Sequence, residues 1–266
     1  MNQETINRIV ELANTGKRAD LPEDNFHIGL IQKGAVVSAE EFAKKPYSIS
    51  EARTLPSLKS FTDYVNGFGG KNTVIFADNE RNVLEAVLDY HGKEDPSWCR
   101  HKVTFKLEQD EDFKNFLSLD RRAMNQTQLV MELSDYAQEF VQPSPADILD
   151  LVRNIKAAKT DDFSGKVTPG QVNQKSERTI TVTGGNGVEI PEMFKIALPV
   201  FSGVSTKYEI PFRMLWKHVE DSREKLLFEI RTVRKHLIVK QAFDDVCKDV
   251  VKAVPMEVRL FGANVG

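Results

Sequence analysis

The sequence predicts an α+β fold in which antiparallel sheets, an N-terminal meander and a long C-terminal hairpin, pack with amphipathic helices. Two observations carry that prediction. Apolar residues alternate with a period of two in NVLEAVLDYH, CRHKVTFKL and KYEIPFRMLWKHV. Other segments space them at three and four, and the two kinds do not alternate regularly as a parallel sheet requires. At 266 residues the chain suffices for one large domain or two small ones.

Taken in order, residues 3–13 place Ile6, Ile9, Val10 and Ala13 on one helical face, with Asn2 as cap and Gly16 as stop. HIGLIQKGAVVSAEEF reads as a short strand, a turn at Gly34 and a loop. TLPSLKSFTDYVNGFGG is a helix with Pro56 near its start, Leu58, Phe61 and Val65 inward, and Gly67 ending it. TVIFAD is a strand, NERN a turn, and NVLEAVLDYH a second strand with Leu84, Ala86, Leu88 and Tyr90 on one face. After the loop GKEDPSW, CRHKVTFKL puts Val103, Phe105 and Leu107 on the core side, which completes a three-stranded meander.

Helices follow in DEDFKNFL, whose acidic residues suit the start of a helix, and in NQTQLVMELSDYAQEF and PSPADILDLVRNIKAAK, the last capped by Ser144. Residues 159–179 are poor in large apolar side chains, so the chain divides into 1–158, a linker or arm at 159–178, and a strand-rich 179–266, or else forms one continuous domain. In that last part ITVTGGNGVEIP is a hairpin or tight loop, and FKIALPVFSG and KYEIPFRMLWKHV are long strands. Tyr208, Ile210, Phe212, Met214 and Trp216 share a face, while Pro199 and Pro211 point to an edge or a bulge. KLLFEIRTV returns as a strand, a helix at 239–251 buries Phe243, Val246 and Val250, and EVRLF adds a terminal strand.

Composition narrows the function classes. A formal net charge of −3 supplies no global basic field for nucleic acid. No apolar run reaches the ~20 residues that span a bilayer, and MNQETINRIVELANTG does not read as a secretory signal, so no membrane partner is expected. Two distant cysteines, Cys99 and Cys247, exclude a disulfide scaffold and a four-cysteine zinc site, and are expected as reduced thiols in a cytosol. NGFGGKNT fails as a phosphate loop: Val65 occupies the place of the first glycine, Asn72 follows the lysine, and a strand comes next. TGGNG lacks the spacing of a nucleotide loop and is a turn.

Three groups of residues remain as candidates. Asp89, His91, Cys99 and His101 are metal-ligand or acid–base types within a short stretch. Their spacing matches no metal motif, and strand parity puts Cys99 and His101 on one face and Asp89 and His91 on the other. A structural hairpin in which Trp98 packs and His101 is hydrogen-bonded is therefore favoured, and which metal, if any, is unknown. Cys99 beside Arg100 and His101 suggests an activated nucleophile, but in a strand Cys99 and His101 would be too far apart to hydrogen-bond. Arg213, Lys217, Arg231, Arg234 and Lys235 form a basic group near strand aromatics, a possible nucleic-acid contact if the rings were exposed. Alternation and the nearby glutamates favour solvated charges over buried rings. The adjacent acids Asp161 and Asp162, and Asp244 and Asp245, point apart and make poor acid–base pairs.

The stretches SLKSFTDYV, TVIFADNERNVLEAVLDYH, WCRHKV, IPEMFKIALPVFSG and YEIPFRM together resemble the YfdQ-like family of prophage-encoded proteins, over about residues 58–228. The resemblance implies a phage or prophage origin and an accessory role in an infected bacterial cytoplasm; it supplies no catalytic residues. The leading expectation is a non-enzymatic, self-associating binding protein for a host factor or small ligand, without a cofactor. Alternatives are a nucleic-acid accessory protein using the C-terminal basic residues, and a metal-dependent hydrolase using Asp89, His91 and His101.

Overall fold

A computed structural model describes residues 51–144, 191–218, 226–254 and 259–262, and shorter pieces at 7, 10, 29–32, 35–38, 45, 46, 48–50, 147, 148, 151, 153, 156–159 and 180–183. In chain order the elements are β1 (Gly29–Gln32), β2 (Ala35–Ser38), β3 (Glu51–Leu55), α1 (Leu58–Phe68), β4 (Val74–Asp78), β5 (Val83–Val87) and β6 (His101–Lys106). Then come α2 (Glu111–Ser118), β7 (Ala123–Met124), α3 (Gln126–Asp135), a 3-10 turn (Ala137–Glu139), β8 (Phe140–Gln142), β9 (Lys156–Lys159) and β10 (Ile180–Thr183). β11 (Phe194–Pro199), β12 (Lys207–His218), β13 (Leu226–Thr232), α4 (Lys235–Ala253) and β14 (Arg259–Phe261) complete the order.

Two five-stranded sheets form the body, as the α+β reading expects. One, in the order β7-β13-β12-β11-β8, is antiparallel throughout. The other, β14-β4-β5-β6-β3, contains the meander β4-β5-β6, extended by parallel strands at both edges. The strand-like stretch after β6 ties the sheets together: Ser202 N–H donates to the Glu108 carbonyl at 2.9 Å and Asp110 N–H to the Val200 carbonyl at 2.9 Å.

Alternation explains the core. On β12, Tyr208, Ile210, Phe212, Met214 and Trp216 are buried, opposite Phe194, Ile196 and Leu198 of β11 and Phe228 and Ile230 of β13. Phe116 of α2 meets Phe212 edge-on at 5.4 Å. On the second sheet, Ile75, Leu84, Ala86, Val103 and Phe105 face α1, whose Phe61 lies 6.3 Å from Phe105. These residues and Phe243, Val246, Cys247 and Val250 of α4 belong to one continuous core. Burial, then the neighbouring Asp244 carboxylate, pushes the Cys247 thiol up to about 12, an inert packing residue.

The helix starts follow from caps. Ser57 accepts from Ser60 N–H at 3.1 Å, Asp110 caps α2, and Asn125 and Gln128 form a reciprocal capping box on α3. α4 begins at Arg234 in the left-handed region (φ 53°) without a side-chain cap, and its first turn is basic. Asp120 compensates, accepting from Lys235 Nζ at 3.1 Å and Thr232 N–H at 2.8 Å.

Several expectations need correction. α1 runs through Gly67 and stops at Gly69, where a Cβ would meet the Val65 carbonyl oxygen at 2.4 Å. β5 ends at Val87, so Tyr90 leaves the face it was assigned to. Glu51–Leu55, unread in the sequence, is an edge strand. Lys156–Lys159, read as the end of a helix, pairs with Ile180–Thr183. Pro211 stands in the central strand and not at an edge. The cost is small because β13 pairing ends there: Val233 N–H still reaches the Pro211 carbonyl at 2.8 Å, and only one terminal bond is lost. Of the helix at 3–13 only Asn7 and Val10 are described, both helical; the TGGNG turn, apart from Thr183, and nearly all of 159–178 lie outside the described residues.

Candidate functional site

The loop 88–100 decides how the first candidate group is arranged. Leu88 N–H donates to the His101 carbonyl at 2.9 Å and Tyr90 N–H to the Asn72 carbonyl at 2.9 Å, so the chain turns back after β5. Asp89 holds the returning limb. Its Oδ1 accepts from His101 N–H at 3.0 Å, and its Oδ2 from Arg100 N–H at 3.0 Å and Ser97 Oγ at 3.4 Å. Both oxygens are thus engaged by protein donors. Cys99 sits in the left-handed region at φ 51°, which breaks the strand parity that would have put it beside His101.

The four residues consequently separate. His91 and Cys99 come together at the surface, with Cys99 Sγ 3.4 Å from His91 Nε2. Ser97 N–H donates to His91 Nδ1 at 3.0 Å. That bond occupies the Nδ1 lone pair, so a neutral ring carries its proton on Nε2 and donates it toward sulfur. In this tautomer His91 cannot accept the thiol proton, which a general base must do. His101 turns the other way. It is 5% exposed, with Nε2 2.8 Å from the Tyr64 hydroxyl, and it meets the rings of Tyr64 and Phe68 edge-on at 5.7 Å. Tyr64 donates to Glu51 Oε2 at 3.2 Å, so the imidazole supplies the proton between His101 and Tyr64. Burial and then the Glu51 contact raise the Tyr64 phenol, while Arg53, paired with Glu51, lowers that carboxylate. His101 is a satisfied core histidine. Among the described residues no three His, Cys, Asp or Glu side chains are grouped to hold a metal ion. Trp98, expected to pack, is 71% exposed, with the Arg100 guanidinium 4.8 Å above its ring.

The C-terminal basic residues are spread out. Arg213 and Arg231 are cross-strand neighbours on the outer face of β12 and β13. Arg213 pairs with Glu192 at 3.7 Å, Arg231 with Glu229 at 2.7 Å and Lys235 with Asp120 at 3.1 Å, whereas Lys217 and Arg234 are exposed. The rings of Tyr208, Phe212 and Trp216 point into the core.

A different feature stands on the outer face of the second sheet. Pairing places Arg259 beside Val74 and Phe261 beside Phe76, all four directed away from α1. Val74 and its partner Val87 are nonetheless buried. On the same face, Phe76, Tyr90, His91, Gly92, Lys93, Arg259 and Phe261 line an open depression of about 540 Å³. Phe76 and Phe261 are 36% and 48% exposed, with near-parallel rings 6.1 Å apart, and Tyr90 stands edge-on to Phe76 at 5.4 Å. Among the described residues no carboxylate lines the depression, and neither Arg259 nor Lys93 has an acidic partner. His91 thus faces the depression and contacts Cys99.

Sequence reasoning passed over Phe76, Lys93, Arg259 and Phe261. Phe76 sits in an uninterrupted apolar run whose faces cannot be told apart by pattern. The i, i+2 spacing of Arg259 and Phe261 in EVRLF is the signal that places cation and ring on one side of a strand.

The model of an uncharacterized conserved protein family, DUF2303, matches residues 9–264. The chain belongs to that family. No curated protein and no solved structure matches the chain. The DUF2303 match spans both sheets, so the depression and the Cys99–His91 pair both lie within the family's extent. Among the described residues no helix is long and apolar enough to cross a membrane.

Proposed function

We propose that the protein is a non-enzymatic binding protein of phage or prophage origin that acts in the bacterial cytoplasm and takes a small ligand in the depression formed by β14, β4 and the loop 88–100. One observation carries this reading: three aromatic rings and two cations, without acidic partners among the described residues, converge outside the core on one open surface. A volume of about 540 Å³ suits a small molecule. The resemblance to YfdQ-like prophage-encoded proteins supports the phage setting.

The local chemistry favours binding over turnover. The His91 tautomer fixed by Ser97 donates to Cys99 and leaves the pair without a base. Of Asp89, His91, Cys99 and His101, a hydrolytic reading keeps this pair to build on, since Asp89 and His101 are committed elsewhere. Self-association is part of the proposal. Among the described residues β3 is an edge strand, and its Ala52, Arg53 and Thr54 are exposed, a place for pairing with a second copy.

Native mass spectrometry of protein purified gently from bacterial cytoplasm tests the reading. The expected spectrum shows a defined oligomer carrying a small-molecule mass that Phe76→Ala removes. A bare monomer, or a bound mass untouched by Phe76→Ala, overturns it.

A further inference from the structure

We infer that the ligand of this depression is a nucleoside phosphate, bound as the free nucleotide with its base against Phe76, Phe261 and Tyr90 and its phosphate at Arg259 and Lys93. The inference rests on the ligand-binding reading above and specifies its chemistry. Exposed ring faces at the edge of a sheet accept any flat heteroaromatic group, because every base offers a π-face. The near-parallel Phe76 and Phe261 and the edge-on Tyr90 provide such a surface on neighbouring strands and the adjoining loop.

The cations choose among flat ligands. Arg259 projects from the same strand and side as Phe261, two residues away, so its charge lies at the margin of the rings. Its planar fork matches phosphate oxygens, and Lys93 adds a point charge from the loop. Two cations and no carboxylate suit a phosphomonoester, which carries close to two negative charges at neutral pH, better than a single carboxylate.

The surroundings choose the free nucleotide over a strand. A polymer needs a basic track beyond the stacking site. Lys102 on this sheet pairs with Glu85 at 3.8 Å, and Arg81 in the turn between β4 and β5 with Asp78 at 3.6 Å, so neither extends the basic pair into a track. The chain as a whole carries a formal net charge of −3.

Calorimetric titration of the full-length protein with AMP, GMP and dTMP tests the inference, with adenosine, inorganic phosphate and a short oligothymidylate as comparison arms. At least one monophosphate should bind, and adenosine and phosphate alone should each bind about tenfold or more weakly. Arg259→Gln, at an exposed position, should weaken the monophosphate about tenfold while leaving adenosine unchanged, and Phe76→Ala should weaken both. Circular dichroism and melting temperature confirm that the variants fold. No binding by any monophosphate, no effect of Arg259→Gln, or oligothymidylate binding far more tightly than dTMP overturns the inference. If native mass spectrometry shows another small molecule displaced by Phe76→Ala while the monophosphates fail, only the ligand class is wrong. If both experiments fail, so does the binding reading.

Discussion

Replacing Asp89 with alanine should loosen the loop 88–100 and leave both sheets standing. The carboxylate accepts from His101 N–H and Arg100 N–H, both at 3.0 Å, and from Ser97 Oγ at 3.4 Å. Hydrogen bonds to a charged acceptor contribute about 1.5–3 kcal/mol each. Three at full value would overstate the loss. Arg100 is exposed, so water replaces the acceptor there, and the Ser97 contact is long. The bond to His101, a buried residue, keeps most of its value, for a loss of about 2–3 kcal/mol in all. Opening the loop also releases Cys99 from the left-handed region, which returns about 1 kcal/mol. The net destabilisation is then about 1–2 kcal/mol, or about 2–8 °C in melting temperature. Asp89→Asn keeps one acceptor oxygen and should lose about half as much. Urea unfolding followed by tryptophan fluorescence gives the first number, and hydrogen exchange of residues 88–100 shows where the loss is felt. If Asp89→Ala unfolds within about 0.5 kcal/mol of the parent, with loop exchange unchanged, the reasoning is refuted.

Three further outcomes are expected. Gly262→Ala should detach β14 from β4, because Gly262 has φ 96° and an added Cβ would lie 2.3 Å from the Ala77 carbonyl oxygen; faster exchange at residues 74–78 with little change in melting temperature is the readout, and unaltered protection contradicts it. Burial, then the hydrogen bond to Asp245, raises Tyr208 to about 12, so its contribution is full below the ordinary phenol value near 10 and is lost as pH rises toward 12; Tyr208→Phe should lessen the alkaline loss of stability, and an identical profile would count against it. Asp120 behaves oppositely: burial raises its carboxyl, but Thr232 N–H and Lys235 outweigh that and leave it lowered. Its contribution is present above the ordinary aspartate value of about 4 and is lost as pH falls below it, so Asp120→Asn should destabilise at neutral pH and flatten the acid limb.

What the sequence disclosed followed from local periodicity. The meander and the buried stripe of β12 were legible because alternation is a property of adjacent residues. β3 was not, since its Ala52, Arg53 and Thr54 are exposed and its pairing to residues 101–105 is set by the fold alone. The parallel attachment of β14 to β4 is likewise non-local, although EVRLF itself read as a strand. Which members of the group around Asp89 meet was not legible, for a local reason. A positive φ at Cys99 reverses the parity by which Cys99 was assigned to the face of His101, and it brings Cys99 to His91. His101 was legible as a hydrogen-bonded core residue, but its partner Tyr64, thirty-seven positions away, was not.

The short β14 also bears on how the protein would acquire the ligand proposed above. It has three residues, and it joins an edge nearly two hundred positions earlier in the chain. A contact so distant in sequence and so small in area is among the last to form in folding and the first to open in the native state. Arg259 and Phe261 leave the surface whenever it opens, so only the docked fraction of molecules is competent to bind, and apparent affinity falls in proportion to that fraction. Ligand in turn holds the strand in place. Binding should therefore slow amide exchange at residues 259–261 more than anywhere else in the second sheet.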